Sequence, residues 1–230
     1  MRLAVPPLCH GCGKLLAEED VLCPKCRSML RRVEGILCVR CGKPFASPEG
    51  PEHTCAFCME NTIYFETARS AFFYEDVVMN MIKMVKFQNR YATVRALVSI
   101  VPRPGQALDP SGYDVATSVP MTNVRLRKRM ANPGHMIAKG LAAKWGMPYE
   151  PDLLDKVKET PLQRTLTAVE RLKNMEGAFR SDPARTRGRA VLLLDDIYTT
   201  GATANACARA LKRAGAHTVG VYTVARTADR

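Results

Sequence analysis

The chain contains no apolar run of about 18 residues, so no ordinary membrane-spanning helix is expected. Met1–Leu8 is too short, ahead of Cys9, to be a secretory signal, and a cytoplasmic protein without membrane insertion is expected. Aromatic residues make up 7% of the chain, with a single Trp, which leaves little flat surface for stacking nucleic-acid bases. Acidic residues are missing from Met121 to Tyr149, where Arg125, Arg127, Lys128, Arg129, Lys139 and Lys144 fall. A basic stretch of this kind suits pyrophosphate, nucleic acid or simple solvation. The formal charge of +12 is correspondingly uneven, with +1 on residues 1–60 and +11 on residues 61–230.

What is present is enough for a real core: 230 residues, 47% of them hydrophobic, make room for one ordinary domain plus a small module. Eight of the nine cysteines form four Cys-x-x-Cys pairs, Cys9/Cys12, Cys23/Cys26, Cys38/Cys41 and Cys55/Cys58. Each pair presents two thiolates to one metal ion, and two pairs complete a closed tetrahedral site, so two structural zinc ions are expected. Spacers of 10, 11 and 13 residues favour sequential pairing over a cross-braced arrangement, because short loops close at lower entropic cost. Disulfides do not suit a cytoplasmic chain, and nothing around the pairs suggests the redox chemistry of an iron–sulfur cluster. His10 and His53 are nearby substitute ligands that four cysteines per site make unnecessary. Eight thiolates and two zinc ions would take this module from +1 to about −3, which argues against it as a general phosphate binder.

Beyond a boundary near Glu60–Phe65, Thr67–Tyr74 reads as a strand. Asp76–Phe87 carries a helical stripe of Val77, Val78, Met81, Ile82 and Val85, with Lys86 at its polar margin. Tyr91–Val101 reads as a second helix, Asp114–Pro120 as a buried strand, and Pro133–Trp145 as a helix capped by Asn132. Leu153–Val157 reads as a short strand, Thr167–Phe179 as a helix, and Thr218–Arg226 as the last strand.

The most informative stretch is Val191–Thr203. Val191–Leu194 has the unbroken apolar character of a strand buried on both faces. Asp195 and Asp196 follow, then Thr199, Thr200, Gly201, Ala202 and Thr203, then a helix over Ala204–Ala214 closed by Gly215. Loop N–H groups at a helix N-terminus suit a phosphate, and paired carboxylates suit two sugar hydroxyls or a hydrated magnesium ion. A sugar phosphate satisfies both ends. The order of residues resembles the phosphoribosyl pyrophosphate motif of type I phosphoribosyltransferases.

The chain as a whole resembles the ComF/GntX family of competence-associated, phosphoribosyltransferase-like proteins. The likeness rests on the four cysteine pairs, Lys86-Phe87, Val119-Pro120 before the arginine run, Thr160-x-x-Gln163, Arg171-x-x-Asn174, Leu194–Thr203 and Thr218–Arg226. It implies an α/β fold: a type I phosphoribosyltransferase-like parallel sheet with flanking helices over residues 63–230, preceded by a zinc-ribbon module over residues 1–62. It also implies phosphoribosyl pyrophosphate and magnesium as ligands. Asp195 and Asp196 would hold the ribose, and Thr199–Thr203 its phosphate. The Val119, Pro120 and Met121 backbone, Arg125 and Arg129 would take the pyrophosphate, and Lys86 would be a further substrate-binding residue. The implied partner is an ATP-driven DNA translocase used in DNA uptake, and the basic charge separately makes single-stranded DNA a candidate partner.

The family usually carries Arg-Gly-Phe-Asn-Gln where this chain has Arg129-Met130-Ala131-Asn132-Pro133. A different acceptor, or loss of transfer, follows if that run shapes the acceptor pocket. Two other readings stand beside the enzyme. One is a non-enzymatic sensor of phosphoribosyl pyrophosphate or a nucleotide that binds single-stranded DNA. The other is a scaffold whose ribbons dock a partner.

Overall fold

The computed structural model describes residues 7–47, 49–88, 90–121, 132–158 and 174–228. The first cysteine module contains the short helix α1 (Pro24–Ser28) and the second contains α2 (Ala56–Glu60). Both are built alike. Cys9 N–H donates to the Lys14 carbonyl and Cys38 N–H to the Lys43 carbonyl, each at 2.8 Å, closing a tight knuckle around the first pair. Cys23 and Cys55 then sit at the N-caps of α1 and α2, which places Cys26 and Cys58 one turn onward on the same side.

The rest of the chain runs through β1 (Thr67–Phe73), α3 (Asp76–Phe87), α4 (Ala92–Ile100), β2 (Val115–Ser118), α5 (Pro133–Trp145) and β3 (Asp155–Lys156). It finishes through β4 (Phe179–Arg180), α6 (Pro183–Thr186), β5 (Ala190–Tyr198), α7 (Ala202–Arg213) and β6 (Thr218–Arg226). Four strands form one parallel sheet in the order β1-β6-β5-β2, and β3 pairs with β4 antiparallel beside it. Leu192 and Leu194 of β5 join the core made by α3, α4 and α5, whereas Val191 and Leu193 join the one beneath α7. Both faces of β5 are therefore covered, and an unbroken apolar run is what such a strand requires. The two cysteine modules divide in the same way, since Cys9 and Cys26 pack with α3 while Cys38, Cys41, Cys55 and Cys58 pack on the α7 face.

The bounds of α3, α5 and β6 coincide with the sequence-based reading, and Asn132 caps α5 by accepting from His135 N–H at 3.3 Å. Other elements differ. β5 continues through the acidic pair to Tyr198, because Asp195 pairs in register with Thr223 and Tyr198 with Arg226. Helix α7 starts at Ala202, within the Thr/Gly loop, rather than at Ala204. The strands expected over Asp114–Pro120 and Leu153–Val157 shorten to β2 and β3, and a 3₁₀ turn occupies Pro151–Leu153. Phe179, expected to end a helix from Thr167, lies in β4; residues 167–173 of that expected helix fall outside the described residues. Among the described residues, no helix is long and apolar enough to cross a membrane.

Candidate functional site

Each cysteine quartet is gathered in sequence order. The sulfurs of Cys9, Cys12, Cys23 and Cys26 lie within 4.8 Å of one another, as do those of Cys38, Cys41, Cys55 and Cys58. A tetrahedral ion with Zn–S bonds of about 2.3 Å sets its sulfurs roughly 3.8 Å apart. The Cys12–Cys23 and Cys41–Cys55 sulfurs, at 3.9 Å and 3.7 Å, meet that spacing. Cys23 N–H and Cys55 N–H point at the Cys9 and Cys38 sulfurs at 3.2 Å and 3.3 Å, the backbone support that thiolate ligands use. The cross-braced pairing is not formed. His10 turns away to Thr93 Oγ1 (3.2 Å), and His53 stacks on Phe45 with its Nδ1 3.1 Å from the Pro51 carbonyl. Among the described residues no other His, Cys, Asp or Glu cluster converges in this way.

At the carboxyl edge of the sheet, β5 presents the acidic pair. Asp195 Oδ1 accepts from the Asp196 N–H at 2.8 Å, and Asp196 Oδ1 accepts from Lys86 Nζ at 2.7 Å. Asp196 is buried, and Lys86 reaches it from the last turn of α3. Burial alone would depress the lysine, but the Asp196 carboxylate overrides it and holds Lys86 above its ordinary value. Burial, with the Asp196 charge beside it, pushes the Asp195 carboxyl up to about 7. The first turn of α5 closes over this carboxyl, since a Cβ on Gly134 would lie 3.7 Å from Asp195 Oδ1. The first turn of α5 thus packs against the half-buried Asp195 side chain.

The Thr/Gly loop follows directly. Thr199 is exposed, Thr200 and Thr203 are half-buried, and Gly201 and Ala202 are buried. Gly201 stands at φ +77°, and any Cβ there would fall on the Tyr198 hydroxyl and 2.5 Å from its Cζ. Only glycine lets the backbone make this turn so close to the Tyr198 ring. The loop opens at once into α7, whose N-terminal N–H groups and dipole point to the same edge as the carboxylates.

β2 lies beside β5 with Ser118 opposite Leu194, so Val119, Pro120 and Met121 leave the sheet next to Asp195. Ser118 Oγ accepts from the Tyr149 hydroxyl (2.8 Å), which lies 3.0 Å from His135 Nδ1. Arg125 and Arg129 lie outside the described residues, as do Met130 and Ala131. The structure thus brings together Lys86, Asp195, Asp196, the 119–121 backbone and the 199–203 loop. Sequence reasoning missed the Lys86–Asp196 pair, which spans 110 positions, and the buried Arg226 behind Tyr198. The one available signal for Arg226 was a cation ending an apolar strand.

Comparison with known proteins gives relatives for both parts of the chain. Residues 1–60 match the double zinc ribbon domain and residues 131–230 the phosphoribosyl transferase domain. The chain is 30% identical to DNA utilization protein YhgH of Salmonella typhimurium, covering 98% of this chain and 99% of that one. It is 26% identical to competence protein ComFC of Bacillus subtilis, over 93% and 87% of the two chains, and 26% identical to competence protein F of Haemophilus influenzae, over 94% and 95%. A glutamine phosphoribosylpyrophosphate amidotransferase from B. subtilis, solved with ADP and GMP, overlays with a TM-score of 0.36 at 22% identity, covering 58% of this chain and 25% of that one. With two cysteine quartets fitted to zinc and a parallel sheet ending in the acidic pair and Thr/Gly loop, the chain belongs to the ComF family of double-zinc-ribbon, phosphoribosyltransferase-like proteins.

Proposed function

We propose that the carboxyl edge of the sheet binds phosphoribosyl pyrophosphate with magnesium and passes the ribosyl phosphate to an acceptor. The observation that carries this reading is the Asp195–Asp196 pair, anchored by Lys86, one short turn from a glycine loop that opens a helix. In it, Asp195 and Asp196 accept the two ribose hydroxyls, and the Thr199–Thr203 N–H and hydroxyl groups hold the 5-phosphate. The Val119–Met121 backbone, with Arg125 and Arg129, takes the leaving pyrophosphate. Lys86 fixes the Asp196 side chain and adds positive charge to the pyrophosphate end. Magnesium, when bound, neutralises pyrophosphate charge and so eases its departure. Two carboxylates beside the ribose also offset positive charge developing on the sugar ring.

Calorimetric titration of phosphoribosyl pyrophosphate with magnesium tests the reading. The Asp195→Asn/Asp196→Asn double variant is expected to lose about a hundredfold or more in affinity, at one to three kilocalories for each hydrogen bond lost. Equal affinity in the two proteins would remove the assignment.

A second reading is favoured by charge. Residues 61–230 carry +11, and relatives are named for DNA utilization and competence, so single-stranded DNA is a candidate partner, as is a DNA translocase. DNA affinity that falls steeply with salt, and flattens on Arg125/Arg127/Lys128/Arg129→Ala, supports it. No binding at low salt would exclude it.

A further inference from the structure

Arg226, the last residue of β6, is 3% exposed. One nitrogen, Nη1, donates to the carbonyl of the zinc ligand Cys41 at 3.1 Å, and Nε is buried without a hydrogen-bond partner. Its guanidinium carbon sits 5.4 Å from the centre of the Tyr198 ring. A buried cation so sparsely bonded needs a counter-charge. Four thiolates around one zinc ion carry a net charge of roughly −2, and the second quartet packs in the same buried cluster as Tyr198. Arg69 supports the other side of that quartet, with Nη1 3.3 Å from the carbonyls of both Cys38 and Val39.

Tyr198 lies between this charge pair and the loop. Its carbonyl accepts from Thr227 N–H at 3.0 Å, tying it to the residue after Arg226, and its ring leaves no room for a Cβ on Gly201. The path Cys41–Arg226–Tyr198–Gly201 is thus continuous from the second cysteine site to the turn of the Thr/Gly loop. The first site is seated elsewhere. Gly11 abuts Val77 of α3, and His10 bonds Thr93 of α4.

We propose that Arg226 and Tyr198 are positioning residues that make the second cysteine site the floor of the Thr/Gly loop, so that zinc at that site, and not at the first, sets the order of the loop. With zinc bound, the tetrathiolate offsets the buried guanidinium. Without it the Cys41 knuckle is no longer held, its carbonyl no longer anchors Arg226, and Tyr198 loses the guanidinium that seats its ring beneath Gly201. The consequence for phosphate binding rests on the reading of that loop given under the proposed function.

Amide hydrogen exchange of residues 199–207, in full-length zinc-loaded protein, tests the coupling directly. The variants are Arg226→Gln, Cys58→Ser in the second site and Cys12→Ser in the first, with released zinc counted by a chromogenic chelator and α5 amides as the measure of an intact fold. Arg226→Gln is expected to keep both zinc ions and α5 protection while loop amides exchange about tenfold faster. Cys58→Ser is expected to lose the second-site zinc and to speed loop exchange to a similar degree with α5 still protected, and Cys12→Ser, which loses only the first-site zinc, to leave the loop unchanged. Where Cys58→Ser fails to fold, Arg226→Gln still decides. Wild-type loop exchange in Arg226→Gln, or equal acceleration in Cys12→Ser, would overturn the proposal. Ribose 5-phosphate, titrated in parallel, separates the two claims: loop exchange that follows the second site in a protein with no affinity for ribose 5-phosphate supports the coupling and removes the phosphate assignment.

Discussion

Lys86 and Asp196 show how one residue pair governs the chemistry of the site. Asp196 is 7% exposed, so without the lysine its charge would stand nearly unsolvated. Lys86→Met is expected to cost about 3 kcal/mol in urea unfolding at neutral pH, and Lys86→Met/Asp196→Asn to recover most of it, because a pair removed together leaves no orphan charge. Asp195 behaves differently. Its carboxyl is raised to about 7 by burial and then by the Asp196 charge, so the folded protein holds a proton that the unfolded chain releases near pH 4. Stability from this group is therefore present at low pH and lost as pH rises through about 7. Asp195→Asn should stabilise the fold by roughly 4 kcal/mol near pH 8 and leave it nearly unchanged near pH 4, a difference that thermal melts at the two pH values measure. Both carboxylates were legible in the sequence because strand, acids and loop are contiguous. The Lys86 contact was not, since a helical stripe tells which residues face the core and says nothing of what meets its polar margin.

Among the elements, α3 and β6 were readable to the residue because their apolar periods are strong and a polar residue stops each, Gln88 just after α3 and Arg226 at the end of β6. β5 was underread. Acidic residues are poor strand formers, but ladder pairing of Asp195 with Thr223 and Tyr198 with Arg226 overrides that preference. The extra length matters, since it holds both carboxylates on the sheet and seats Tyr198 under Gly201. Gly201→Ala forces a side chain onto the Tyr198 ring at a left-handed backbone angle. It is expected to destabilise the protein by about 2 kcal/mol and to weaken ribose 5-phosphate binding at least tenfold, read by denaturant unfolding and calorimetry. Asn132→Ala, which removes the α5 cap, should cost about 1 kcal/mol by the same unfolding assay.

At the scale of the molecule, the two zinc ribbons lie on opposite faces of one sheet, which spacing alone did not reveal. Spacing did predict sequential pairing, because each pair of knuckles is joined by a short spacer. All four cysteines of the second site are buried, whereas Cys12 of the first is exposed. A chelator in excess should therefore release zinc in two phases of one ion each, the first-site ion leaving faster, and Cys12→Ser should abolish the fast phase. The central claim concerns the carboxyl edge of the sheet, and a crystal structure of the protein soaked with phosphoribosyl pyrophosphate and magnesium tests it most directly. Density for the 5-phosphate against Thr199–Thr203, with both ribose hydroxyls on Asp195 and Asp196, is the result expected; a ligand bound elsewhere, with that edge holding only water, would contradict it.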